Sequence, residues 1–143
     1  MSKLERLATL AERKLGTDFT DDSKVDDEVS CVYALTTVLN QFDRRIPVMV
    51  STVQLDNWLD NSPLFRKVPQ PIGIMERGFI CVTPTKGASV GHCGLYLDDF
   101  RIVSNSSFSK PTGLWLQNYT RETWRRDITL ARGLNTRIYE YIG

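Results

Sequence analysis

The chain has 143 residues, 41% hydrophobic and 24% charged, with 18 Lys and Arg against 17 Asp and Glu. That length suits one domain, residues 1–143, and allows roughly 68–70% of the unfolded surface to be buried. A net charge of +1 excludes a global basic field for nucleic acid and an acidic tail. No apolar run nears the ~20 residues of a membrane span.

Residues 2–15 read as an amphipathic helix, with Leu4, Leu7, Ala8, Ala11 and Leu15 on one face. Ser2 and Glu5 make an S-x-x-E capping box, and Gly16 suits the stop. Its charges, and the lack of an apolar core before a cleavage site, lead us to expect no secretory signal and synthesis in the cytoplasm. Residues 17–30, "TDFTDDSKVDDEVS", form a polar, acidic loop in which Asp27 and Ser30 are candidate N-caps. A second helix, "CVYALTTVLNQF", follows with Cys31 at or just before its first turn. Ser51 and Gln54 cap a short third helix over 51–61, and the proline-rich "SPLFRKVPQPIG" reads as a loop.

The periodicity changes after Gly78. "FICVTP", "HCGLYLDD" and "FRIVSNSS" read as strands, "NYTRETWRRDI" as a short helix capped by Thr120, and "TRIYEYI" as a closing strand. Helices first and a strand meander second indicate an α+β fold in which N-terminal helices pack on an antiparallel sheet.

Cys31, Cys81 and Cys93 are odd in number and widely spaced, with no C-x-x-C, and His92 is the only histidine. This pattern predicts neither a disulfide framework nor a zinc site. Cys31, at a helix start, is either a small buried hydrophobe or a thiol activated by helix-end N–H groups. His92 is either a hydrogen-bonded core histidine or the base that such a nucleophile requires. If Asp98 and Asp99 are the two turn residues, Leu97 faces Phe100 and His92 faces Asn105, which would orient the ring. A slip in turn length would bring Ser104 or Ser106 there instead. Cys93 alternates to the opposite face and Cys81 lies in an apolar run, so both read as core. Trp58, Trp115 and Trp124 read as scaffold, with a binding surface as the other reading.

A cysteine opening a helix, then "GHCGL", then a polar residue on the next strand resembles the NlpC-like cysteine peptidases, a papain-like group of cell-wall hydrolases, and most closely a phage and prophage endolysin-like branch. The resemblance runs from about Leu7 to Tyr141. It is carried by Leu15-Gly16, the acidic loop, Cys31, Pro71-Ile72-Gly73, Pro84-Thr85, "GHCGL", Ser104-Asn105-Ser106-Ser107, Asn118-Tyr119-Thr120 and Trp124. Three positions depart from that family. Ser30-Cys31-Val32 stands for its Asp-Cys-Ser and Arg77-Gly78 for its Gly-Asp, and Asn105 or Ser104 stands where histidine is frequent.

The resemblance implies a papain-like NlpC-type fold and cleavage of an amide bond in the peptide stem of peptidoglycan. Cys31 would be the nucleophile, His92 the base and Asn105 the orienting residue, with Ser104 and Ser106 as alternatives. The backbone N–H of Cys31 would serve the oxyanion hole. No metal or cofactor, no nucleic acid and no membrane insertion are expected, and the protein is expected to be a monomer. Three settings follow: a phage lysin released through holin-made openings into the periplasm or cell wall, a secreted amidase toxin with an immunity protein, or a non-catalytic virion or adaptor protein retaining the fold.

Overall fold

The structure is a computed structural model that describes residues 1–19, 27–69, 74–106 and 112–143. Pro71-Ile72-Gly73, Ser107 and most of the acidic loop lie outside the described residues. The chain begins with helix α1 (Lys3–Arg13), capped by Ser2, whose side chain accepts from the Glu5 amide. Helix α2 (Asp27–Phe42) begins four residues earlier than the apolar stripe suggests, so residues 27–30 belong to the helix and not to the acidic loop. Helix α3 (Thr52–Asn61) starts at its predicted cap, with Ser51 accepting from the Gln54 amide.

Six strands follow among the described residues: β1 (Phe65–Val68), β2 (Ile80–Thr83), β3 (His92–Asp98), β4 (Arg101–Asn105), β5 (Trp115–Tyr119) and β6 (Arg137–Tyr141). They form one antiparallel sheet in the order β1-β6-β2-β3-β4-β5. The α+β class and the antiparallel sheet agree with the sequence reading. Two strands had no clear signal in the sequence. β1 lies in the stretch read as a loop, and its central Arg66 and Lys67 are both exposed. β5 precedes the helix start that Thr120 marks.

Alternation along the strands divides the core in two. On one face Val82, Cys93, Leu95, Val103 and Tyr139 pack against Leu7, Leu35, Val38 and Leu55 of the helices. On the other, Cys81, Tyr96, Ile102 and Ile138 pack against Trp124 and Ile128. Those last two belong to helix α4 (Arg121–Trp124) and the π-helical stretch that continues it (Arg125–Leu130). Burying each such aliphatic or aromatic side chain contributes roughly 1.5–3 kcal/mol. Both sheet faces are covered, which explains why β3 is buried along nearly its whole length.

The N-terminal segment also closes an edge of the sheet. Gly16 donates its amide to the Trp115 carbonyl at 2.8 Å, and the Trp115 amide donates to the Thr17 carbonyl at 3.0 Å. The Trp115 indole N–H donates to the Ala11 carbonyl at 3.0 Å. The edge strand β5 is thereby blocked at one end against pairing with another chain.

Candidate active site

His92 opens β3, opposite Thr83 of β2. The glycine before it stands where the chain presses on its neighbour: a Cβ at Gly91 would collide with the Thr83 carbonyl. Gly94 follows on the same sheet face as His92. A Cβ there would lie 2.7 Å from the Val103 carbonyl oxygen and 3.2 Å from the Ser104 Cβ. The two glycines of "GHCGL" thus let β3 enter the sheet tightly and leave room for the His92 ring to reach across to β4.

The partner it reaches is Ser104, with His92 Nε2 2.9 Å from Ser104 Oγ. The Ser104 hydroxyl in turn donates to Asn118 Oδ1 at 2.6 Å. Because that hydroxyl proton is committed to Asn118, Ser104 accepts from Nε2–H. The ring is therefore held as the Nε2–H tautomer, and Nδ1 is the nitrogen able to take a proton.

The register explains why Ser104, and not Asn105, holds the ring. The sequence places Asp98 and Asp99 in the turn. In the structure Asp98 pairs with Arg101, Tyr96 with Ile102 and Leu95 with Val103, with an irregularity between Tyr96 and Asp98. Asp98 accepts from the Phe100 amide at 2.9 Å and binds Arg101 at 2.7 Å, so it ends the strand and the turn centre moves on to Asp99 and Phe100. A shift of one residue turns every β4 side chain to the other face. Ser104 and Ile102 therefore share the His92 face, whereas Asn105 is buried on the helix side. Ser106 instead ties the end of β4 to the segment that enters β5, accepting from the Leu114 amide through Oγ at 3.1 Å.

A second irregularity aims Asn118. Ile102 pairs with Tyr119 but Val103 with Gln117, leaving Asn118 as the extra residue on β5. Bulges of this kind redirect a side chain, and here the amide is brought onto Ser104. Tyr119 and Trp124 flank the imidazole, with ring centroids 5.5 and 5.3 Å from it. Trp124 is fixed by its indole N–H, which lies 3.2 Å from Thr83 Oγ1 and 3.3 Å from Thr136 Oγ1.

Cys31 joins this group from the helix layer. Its thiol is brought down to about 5 by a hydrogen bond from the Cys93 thiol, by the charge and hydrogen bond of His92, and by the Cys93 amide, all against the opposing effect of burial. The structure thus brings Cys31, His92 and Ser104 together and sets Asn105 apart. Cys93 does alternate to the helix side, as expected, but that is what places it at the Cys31 sulfur. It is a donor to the nucleophile candidate as well as a core residue. Cys81 sits deep on the other face, where burial pushes its thiol up to about 12.

The helix start bears on two expectations. With α2 beginning at Asp27, Cys31 lies beyond the four amides that a helix leaves free at its N-terminus. The Cys31 N–H is thus taken up by the helix's own ladder, which displaces it from the oxyanion role expected of it. Thiol activation accordingly comes from Cys93 and His92 more than from helix-end amides. Cys31 is fully buried and His92 is 1% exposed. Asn118 entered the sequence reading only within the Asn118-Tyr119-Thr120 motif and Cys93 only as core; their places at the site were missed because neither a bulge nor a helix-to-strand contact leaves a mark in local sequence pattern. Among the described residues no cluster of three or more His, Cys, Asp or Glu is placed to hold a metal ion, and no helix is long and apolar enough to cross a membrane. No protein-family model matches the sequence, and no curated protein matches it.

Proposed function

We propose that the protein is a cysteine hydrolase of papain-like NlpC type that cleaves an amide bond in the peptide stem of peptidoglycan. The observation that carries this reading is the thiol of Cys31 lying against the single imidazole of the chain, whose Nε2 is held by Ser104. Catalysis by a thiol requires a nucleophile, a base within reach and a third group to orient the base, and these three residues supply them. The substrate class follows from the resemblance of "GHCGL" and its flanking motifs to the cell-wall peptidases.

In the proposed reaction, His92 Nδ1 holds the proton of Cys31 and the thiolate attacks the scissile carbonyl. The Cys93 amide, already directed at the Cys31 sulfur, is a backbone donor at the reacting centre; such a donor to the oxyanion contributes roughly 2.7–4 kcal/mol. His92 returns its proton to the leaving amine as the C–N bond breaks. A water deprotonated by His92 then hydrolyses the thioester and restores the thiol. Ser104 and Asn118 keep the ring in one tautomer throughout. Release as a phage lysin is the setting we favour, with delivery as a toxin using the same chemistry.

Purified sacculi incubated with the protein, followed by mass spectrometry of the soluble fragments, test this reading. We expect stem-peptide fragments with the wild type and none with Cys31→Ala. Intact sacculi with a folded wild-type protein would overturn it. A second reading, a non-catalytic virion or adaptor protein retaining the fold, is favoured by one observation. Cys31 is fully buried and His92 nearly so, whereas reactive cysteines sit in partly exposed surroundings. Hydrolysis therefore requires the cover over Cys31 to open, and failure of iodoacetamide to label Cys31 in the native protein would favour the non-catalytic reading.

A further inference from the structure

Two thiols meet inside the fold. Cys31 of α2 and Cys93 of β3 are both fully buried in the core between the helices and the sheet. The Cys93 thiol donates to the Cys31 sulfur, and the Cys93 amide points at the same atom. Both cysteines are free thiols here. The strand pairing accounts for the contact: Cys93 lies opposite Val82 of β2 and shares its helix-side core, where α2 packs on β3. The third cysteine is kept apart. Cys81 packs with Tyr96, Ile102 and Trp124 on the other face of the sheet, and burial keeps its thiol protonated. The sulfur that reacts with an oxidant is the one held as thiolate, which is Cys31. A sulfenic acid formed there already has a thiol at its sulfur, and sulfenic acids condense with a neighbouring thiol. Burial favours that partner over further oxidation. Only the first step requires the oxidant to enter, whereas the second thiol is already inside.

We infer that Cys93 is a resolving thiol for Cys31, and that hydrogen peroxide converts the pair to a disulfide that reversibly silences the nucleophile. In the first step the Cys31 thiolate attacks one peroxide oxygen and the O–O bond breaks. The departing hydroxide takes the proton held by His92 and leaves as water. In the second step the Cys93 sulfur attacks the Cys31 sulfenic sulfur, the S–O bond breaks, and the Cys93 proton leaves with that oxygen as a second water. Two thiols lose two electrons, and one peroxide is reduced to two waters. An external dithiol returns both cysteines to the reduced state by thiol–disulfide exchange. The regulatory meaning rests on the hydrolase reading; formation of the disulfide does not.

Native protein treated with hydrogen peroxide, blocked with iodoacetamide and digested by trypsin without reductant tests it. Trypsin leaves the three cysteines in separate peptides. We expect mass spectrometry to find the Cys31 and Cys93 peptides joined with loss of two hydrogens, Cys81 unjoined, and both thiols restored by dithiothreitol. Dimedone, which traps sulfenic acid, should label Cys31 at least about tenfold more in Cys93→Ser than in wild type, because the resolving thiol is gone. Hydrolysis of sacculi by the wild type should be lost on oxidation and recovered with dithiothreitol, and Cys81→Ser should behave as the wild type does. Hydrolysis by the reduced protein with no joined peptides after peroxide would overturn the switch alone. Joined peptides with undiminished hydrolysis, or a link from Cys31 to Cys81, would also overturn it. A folded, reduced wild type that leaves sacculi intact would overturn the hydrolase reading and the switch together, even with the disulfide formed.

Discussion

Replacing Cys93 with alanine isolates the interaction that contributes most to the state of the Cys31 thiol. The substitution removes the thiol donor and keeps the backbone amide that also points at the Cys31 sulfur. A hydrogen bond to a charged acceptor contributes about 1.5–3 kcal/mol, and one pKa unit corresponds to about 1.36 kcal/mol. The midpoint of Cys31 should therefore rise by about 1–2 units, starting from about 5. The ultraviolet absorbance of the thiolate, followed with pH, reads this directly. Cys81 stays silent over most of that range because its thiol is pushed up to about 12. Site-resolved alkylation by iodoacetamide, quantified by mass spectrometry, assigns the midpoint to one residue. A wild-type midpoint within about a unit of the free-cysteine value of ~8.5 would refute the reasoning. So would a Cys93→Ala midpoint equal to the wild type, since the donor would then contribute nothing.

The remaining predictions follow from the same geometry. Ser104→Ala leaves the His92 N–H without its acceptor, at a cost of about 1–3 kcal/mol; hydrolysis should fall roughly 10–100-fold, and Asn118→Ala, one bond further out, should cost less. Asn105→Ala should lower the melting temperature while leaving the pH profile of the reaction unchanged, because that side chain lies on the other sheet face; a loss of turnover matching Ser104→Ala would return the orienting role to Asn105. Gly94→Ala should destabilise the fold by ~1–3 kcal/mol through overpacking against Val103 and Ser104, seen as a lowered urea midpoint at unchanged m. Since the folded thiol titrates near 5 and an unfolded one at ~8.5, the Cys31 thiolate stabilises the fold fully above the unfolded value and not at all below the folded one. The stability of the wild type relative to Cys31→Ala should thus climb between those limits and be flat at lower pH, as denaturant titrations at several pH values would show.

Much of the scaffold was legible because local signals and tertiary demand agree. Ser2, Ser51 and Thr120 cap the helices they were expected to cap, and the apolar runs beginning at Phe79 and His92 became strands. The failures lie where a long-range partner decides. Arg66 and Lys67 carry no strand pattern, yet Arg66 is paired with Glu140 and Lys67 with Tyr139 across the sheet. The acidic residues before Cys31 resemble a loop, yet residues 27–30 extend α2 by a turn. In the site, Cys31 could be named from its place near a helix start and His92 from its being the single histidine. The third residue could not, because Asp98 has two ways to end a hairpin and the one chosen exchanges Asn105 for Ser104. The part played by Asn118 was hidden for a related reason, although its motif was legible: a bulge is set by two strands jointly and leaves no mark on either.

The attachment of helix α1 to the β5 edge of the sheet has a consequence for how the chain is made. The Ala11 carbonyl and the Trp115 indole are 104 residues apart, and the residues after α1 share backbone hydrogen bonds with that same tryptophan. At a synthesis rate of about 5–20 residues per second, α1 waits on the order of seconds before the strand that fixes it exists. Until then the apolar stripe of Leu7, Ala8 and Ala11 has no sheet edge to close. Closing so long a loop is slow and comes late in folding. Between the synthesis of α1 and that of β5, the α1 stripe therefore lacks this part of its final burial, and that is the interval in which a chaperone or an aggregating neighbour would find it.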